Sequence, residues 1–472
     1  MSDPSSQKLS TRAIANTLQW LGKPAESEPS RELEALTLHL SALGEAQLNP
    51  EQAGQLVELL HLRAIAAVGK LRPQLSTITL PIPADARQAA RIAMRSLEAL
   101  AAAHSQTART LPDAHLPLLH ALESLSLHLL ICALVASPPG VGIWQQMHNI
   151  YAQRLSTSLP LSTALAIDEI YFRAQLLACT QPASLAAQEL ILVDAAINAI
   201  HVLPERPQKP PPAEQGAFWI NPKQDFSATA ASRKPPPPGL TVWWFTCEQA
   251  ALALNTLITA LAKKQSPASL ALPDFATSSS GVAALRRVVN CWSKPPKRRF
   301  NRRRQSLRAT LLAGLPAIYE LLRSGSGPTS EWIITNESPD GCAAMHVSGP
   351  TGRIDMGDVV ALRFEGEKNW QLCLARWAQS ENAEHLELGL QRLTATSRTA
   401  TLVMPQLRAN CLVFDTPGQA PQPTLMIAAG ALDQDHCKAI LLSAHHNLTV
   451  REVTVGACLE RTPRVEYYAL IP

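Results

Sequence analysis

The nine cysteines of this 472-residue chain are scattered from Cys132 to Cys458, with no C-x-x-C pair and no Cys/His cluster. That argues against a zinc site and against a disulfide framework, and fits a reducing compartment. Charged residues are scarce at 17%, and the net charge of +4 is too small to make the whole protein a nucleic-acid binder. The opening segment, MSDPSSQKLSTRAIANTLQWLG, lacks a basic-then-apolar signal pattern. The longest apolar run, 125–136, is interrupted by His128 and is too short to span a bilayer. No Walker loop or dinucleotide fingerprint is present. No G-x-S-x-G elbow accompanies Ser443–His446 (SAHH), which removes a hydrolase reading. His385, His436, His445 and His446 have no carboxylate or cysteine partners at ligand spacing, so no metal is expected. These absences predict a soluble cytoplasmic protein without membrane insertion, and not an enzyme.

Apolar residues make up 46% of the chain, enough for most of it to fold, and its length suits two or three domains. Residues 1–202 are rich in Ala, Leu, Gln and Glu, with apolar residues recurring at three and four. The pattern predicts helices over 11–21, 31–43, 50–71, 84–105, 117–136, 143–156, 161–178 and 185–202. Short connections imply antiparallel neighbours, but no period near 34 residues supports a tetratricopeptide array. An α-helical bundle or irregular helical array is expected. Residues 203–293 change character. PERPQKPPPAEQ and RKPPPPG are stiff, solvated proline blocks, with short strands expected at 217–220 and 240–246 and helices at 248–264 and 281–292. From about 308 onward, evenly spaced β-like segments broken by Gly, Asp and Asn predict an antiparallel barrel or sandwich. The first of these strands is expected at 308–312.

The most informative stretch is 294–308, KPPKRRFNRRRQSLR, with eight basic residues and no acid. Alone, such a run reads as a solvated linker. At 336–341 the chain then reads Asn-Glu-Ser-Pro-Asp-Gly, an ordinary turn composition by itself. Together the two elements suit a small ligand that is both anionic and guanine-bearing. The arginine fork bonds phosphate oxygens in pairs and binds O6 and N7 of guanine in the same bidentate way.

Arginines before a first strand, followed by N-x-S-x-x-G, resemble the PilZ family of bacterial cyclic-di-GMP receptors. That family carries R-x-x-x-R before its barrel and [DN]-x-S-x-x-G on the following strand pair. Asn336, Ser338 and Gly341 match the second element. Arg304 and Arg308 fit the first, with Arg303 beside them; Arg298 with Arg302, and Arg299 with Arg303, have the same spacing. The resemblance covers roughly 294–404 and implies a PilZ-like β-barrel with cyclic di-GMP as ligand and no cofactor. No GGDEF, EAL or HD-GYP signature for making or cleaving the nucleotide is present.

The expected architecture is multidomain α + β. An α-helical domain (1–202) precedes a proline-rich bridging region (203–293) and a PilZ-like barrel domain with additional C-terminal strands (294–472). The expected function is a cyclic-di-GMP receptor or adaptor in signalling. Ligand would order 294–308 as a hinge, and the helical domain would contact a protein partner. Two alternatives stand beside it: a ligand-free PilZ-like interaction module, and an RNA- or DNA-binding protein using 294–308.

Overall fold

The computed structural model of the protein describes residues 4–471 except 47, 112–114, 158, 213–215, 298, 383, 395, 416–422, 433–435 and 445–447. His445, His446 and Arg298 therefore lie outside the described residues.

Eight helices open the chain: α1 (Pro4–Leu21), α2 (Pro29–Glu45), α3 (Pro50–Leu75), α4 (Ala84–Thr110), α5 (His115–Leu134), α6 (Ile143–Ser156), α7 (Leu161–Cys179) and α8 (Ala187–Ile200). Their starts follow the local chemistry. Asn49 caps α3 by accepting from the Glu51 amide at 2.9 Å, and Pro50 supplies the preset φ of a first turn. On α4, Ala90, Ala93, Leu97, Leu100, Ala101 and Ala108 are buried at helical spacing, and the small alanines let α2 and α5 pack close. Each leucine fully buried on this face contributes roughly 1.5–3 kcal/mol. By length and composition α5 could cross a membrane, because it begins ten residues before the apolar run that marked it in the sequence. More than half of it is buried, against α4 and α7.

The bridging region folds as a three-stranded sheet of β1 (Ala217–Ile220), β2 (Thr229–Ala230) and β3 (Trp243–Thr246), ordered β2-β1-β3. It is followed by α9 (Glu248–Ala262) and α10 (Ser279–Ser293). The Ser278 hydroxyl caps α10, accepting from the Gly281 amide at 3.0 Å. Trp292, fully buried near the end of α10, donates to the Leu176 carbonyl at 3.1 Å, which fixes this region onto the helical half.

The first barrel runs β4 (Arg303–Ala313), β5 (Ser330–Ser338), β6 (Gly341–Ser348), β7 (Val359–Phe364), β8 (Gln371–Gln379) and β9 (Glu387–Thr394), with α11 (Leu315–Ser324) inserted between β4 and β5. It closes in the order β4-β5-β6-β9-β8-β7. The expected additional strands are a second closed barrel. Its strands are β10 (Ser397–Met404), β11 (Leu407–Asp415), β12 (Pro423–Ala428), β13 (Cys437–Ala444), β14 (Leu448–Arg461) and β15 (Val465–Ile471), ordered β10-β11-β12-β15-β14-β13. Counted from its own first strand, each barrel reads 1-2-3-6-5-4, so the second repeats the connectivity of the first. Closure leaves neither barrel an open edge.

Helix α11 was not foreseen. Leu315, Ile318 and Leu321 on its apolar face pack with Leu312, Val359 and Leu374 of the first barrel and with Leu412, Phe414 and Tyr467 of the second, so the barrels share one core. The helical half is docked as well. Leu80 and Ile354 exchange backbone hydrogen bonds at 2.8 Å each way, and the Ser380 amide donates to the Ala136 carbonyl at 2.7 Å. These contacts join the two halves in addition to the chain itself, which passes between them through 294–308.

A second correction concerns the arginines. The expected loop ends at Arg302, and the first strand begins at Arg303 rather than 308. The reason is the partner strand: Arg303 lies opposite Glu337 and Arg304 opposite Asn336, so the ladder extends to the hairpin end despite the local positive charge.

Candidate functional site: a cationic cleft between the helical half and the first barrel

The N-x-S-x-x-G segment forms the β5–β6 hairpin, with Ser338 paired to Gly341 and Pro339 and Asp340 at the turn. Two of its residues have structural explanations. The Ser338 hydroxyl donates to the Gly341 carbonyl at 3.1 Å and closes the turn. A Cβ on Gly341 would lie 2.0 Å from the Leu390 carbonyl oxygen of β9, so only glycine allows the strands to meet there. Asn336 is different. Its Nδ2 reaches only Thr335 Oγ1, at 3.5 Å, and its Oδ1 is buried with no hydrogen-bond partner among the described residues. Register shifts interrupt both ladders beside it, between Arg304 and Leu307 on β4 and between Ile334 and Asn336 on β5. Such bulges re-aim side chains and are frequent next to functional sites.

Asn336 faces a cleft of about 1510 Å³ between the first barrel and the helical half. Seven cations line it: Arg233 and Lys234 from the proline-rich segment, Arg287 from α10, Lys294, Lys297 and Arg302 from the basic run, and Arg376 from β8. Glu387 is the single acid of the lining among the described residues, and it accepts from Thr335 Oγ1 at 3.0 Å. Ser232, across the cleft, also has a buried hydroxyl without a partner among the described residues. A buried polar atom left unsatisfied costs about 1–3 kcal/mol, so both walls are prepared for something polar.

The cations are not equivalent. Arg287 is paired with the buried Glu189, and Arg376 Nη2 bonds Glu460 of the second barrel at 2.8 Å. Burial pulls the Arg376 guanidinium down, but the bonded Glu460 carboxylate outweighs it and the net shift is upward. For Glu460 burial pushes up, and Arg376 and the Tyr467 hydroxyl hold it below the ordinary carboxylate value. Lys234, Lys294, Lys297 and Arg302 make no ion pair among the described residues. They are exposed at the cleft, ready to meet an anion. Trp377 adds a half-buried aromatic face and lies across Gly389, where a Cβ would fall 1.7 Å from its indole nitrogen.

Of the residues singled out from sequence, the cleft brings together Arg302 and Asn336. Arg303 and Arg304 are exposed on β4, opposite Glu337 and Asn336. Arg299 is exposed in the run. Arg308 lies opposite Ile333 and lines a separate 350 Å³ pocket with Glu331, Arg363 and Glu365. Sequence reasoning missed Arg233, Lys234, Arg287, Arg376 and Trp377. The first two stood in a proline block that reads as a spacer; the last two are ordinary strand residues until the helical half is placed against them.

Residues 15–203 match the family described as "Cyclic-di-GMP receptor FimW, N-terminal domain". Neither the curated proteins nor the solved structures include a match to the chain.

Proposed function

We propose that the chain is a non-enzymatic cyclic-di-GMP receptor that holds its nucleotide in the cleft between the helical half and the first barrel. The helical half is similar to the N-terminal domain of such a receptor, over residues 15–203. The observation that carries the reading is the meeting of Arg302 and Asn336, from the two sequence elements, on the cleft that this same helical half closes. The pair favours the register containing Arg302 over the one built on Arg304 and Arg308.

The chemistry suits the ligand. Cyclic di-GMP carries two phosphates and two guanines. Lys294, Lys297 and Lys234 offer point charges to phosphate, and Arg302 offers a planar fork to phosphate or to guanine O6 and N7. Asn336 Oδ1 accepts a hydrogen bond that guanine N–H groups can give. Trp377 presents a face on which a base can stack. At about 1510 Å³ the cleft is wider than the roughly 300–1,000 Å³ of usual small-ligand sites, in keeping with a dinucleotide. The first barrel is then the PilZ-like module of a cytoplasmic signalling adaptor. Ligand contacts on both walls tighten the seat of the barrel against the helices, changing the surface offered to a protein partner.

Calorimetric titration of the full chain with cyclic di-GMP, with GMP and cyclic di-AMP as controls, tests this. Saturable heat is expected for cyclic di-GMP, with cyclic di-AMP weaker because its amino donor faces arginine where guanine has O6. No heat from folded protein would leave a ligand-free docking module. Equal affinity for all three, falling steeply with salt, would reduce the cleft to a phosphate patch.

A further inference from the structure

Outside the lining of the cleft, three histidines converge inside the helical half: His61 of α3, His104 of α4 and His120 of α5. One ring nitrogen from each lies within 4.8 Å of the others. His61 and His104 are each 2% exposed, so this is an interior cluster and not a surface accident.

The outer partners fix what the rings present. His61 Nε2 bonds Glu123 Oε2 at 3.1 Å, and His120 Nδ1 bonds Glu58 Oε2 at 2.8 Å. The pattern is reciprocal: α3 carries Glu58-x-x-His61, α5 carries His120-x-x-Glu123, and each histidine bonds the glutamate of the other helix. An ionised carboxylate only accepts, so it holds the proton on the ring nitrogen that faces it. That leaves lone pairs on His61 Nδ1 and His120 Nε2. His61 Nδ1 is buried with no partner among the described residues, and so is His104 Nε2.

A buried imidazole nitrogen without a partner is costly, and two side by side call for a shared partner. A structural role as paired His–Glu cross-links accounts for His61 and His120 but leaves His104 unexplained. Neutral imidazoles whose outer N–H groups are held by carboxylates are the usual arrangement around a catalytic or structural metal ion. Zinc–nitrogen bonds of about 2.0–2.1 Å place ligand nitrogens about 3.3 Å apart on a tetrahedral ion. The present cluster is wider than that, and the His61 and His120 rings are stacked with centroids 4.2 Å apart. Metal binding would require ring rotations that bring the widest-spaced nitrogens together by up to about 1.5 Å.

We propose that His61, His104 and His120 form a three-histidine site for a divalent metal of the Zn2+ class, with Glu123 and Glu58 orienting His61 and His120. The site would tie α3, α4 and α5 together and is independent of the nucleotide cleft.

The test uses the full chain, stripped with a chelator and titrated with Co2+ and then Zn2+. One Co2+ per chain with visible d–d bands, displaced by Zn2+, is expected, together with a higher melting temperature. His104→Gln should abolish the bands. Glu123→Gln should weaken binding about 10–100-fold. The exposed His201→Ala should change nothing. Should His104→Gln fail to fold, Glu123→Gln and Glu58→Gln carry the test from the rim. Folded wild type without bands or a thermal shift, or wild-type affinity in the folded variants at His104, Glu123 and Glu58, overturns the proposal.

Discussion

Arg302→Ala should weaken cyclic-di-GMP binding far more than Arg308→Ala. Arg302 lines the same cleft as Asn336 and makes no ion pair among the described residues, so its removal takes away ligand contacts and little else. A charge-assisted hydrogen bond contributes about 1.5–3 kcal/mol. Losing one corresponds to a rise of roughly 10- to 150-fold in Kd, and a bidentate grip extends that range. Arg308 is paired opposite Ile333, whereas Arg304 stands opposite Asn336, and Arg308 opens on a different pocket. Its replacement should leave Kd within about twofold, since an exposed charge off the site acts only through screened, long-range attraction. Arg304→Ala should fall between the two. Calorimetry on the three variants, with circular dichroism to establish folding, decides the ranking. An Arg308→Ala loss equal to that of Arg302→Ala, or an unchanged Kd in Arg302→Ala, would refute the placement of the ligand in this cleft.

Trp377→Ala should weaken nucleotide binding by about 1–3 kcal/mol if a base stacks on the indole; unchanged calorimetric affinity would assign Trp377 to packing on Gly389 alone. Gly341→Ala drives a methyl onto the Leu390 carbonyl oxygen of the neighbouring strand and should lower stability by about 1–3 kcal/mol or more, read as a fall in the midpoint of urea unfolding. Asp358 supplies a pH prediction. Burial raises its carboxyl from 3.8 to about 6, so between those values the folded state holds a proton that the unfolded state has lost, and stability falls as pH rises from about 4 to 6. The contribution is on the order of 3 kcal/mol, and Asp358→Asn should remove that slope from melting temperatures taken across the range.

The helical half was legible because each helix carries its own periodicity: the eight segments read at three-and-four spacing are the eight helices α1–α8, with ends shifted by up to seven residues. The strands of both barrels except β11 were legible as segments, but closure was not. Pairing β13 with β10, or β7 with β4, joins residues far apart in sequence through backbone groups that leave no trace in side-chain type. Helix α11 was overlooked because ten residues between two strands give barely three turns of pattern, and its apolar face answers to the second barrel. Asn336 and the basic run were visible as motifs; which arginine shares the cleft with Asn336 was not. Three R-x-x-x-R registers are equivalent in a string of like charges, and only the strand start at Arg303 and the placement of Arg302 on the cleft distinguish them. The histidine cluster escaped for the same reason as closure. His61, His104 and His120 lie on three helices with no ligand-like spacing, and each alone reads as a core histidine.

Two barrels of one connectivity stand in tandem, yet N-x-S-x-x-G occurs only in the first. The second contributes to the cleft through Glu460, which holds Arg376 against the wall with help from Tyr467. Arg376 and Glu460 are half-buried, and parting them forfeits charge-assisted bonds of the same kind that a new arginine–phosphate contact would make. A ligand therefore gains little by drawing Arg376 away from Glu460, and Arg376 acts as a fixed post whose position the second barrel sets. Arg287, held by Glu189, is a matching post on the helical side. The cations that can move to the ligand at little cost are Lys234, Lys294, Lys297 and Arg302, three of which belong to the basic run. On the proposed reading, binding draws that run across a cleft whose two walls are already fixed. Selectivity then rests on the rigid residues Asn336, Arg376 and Trp377, and the gain in order rests on the run.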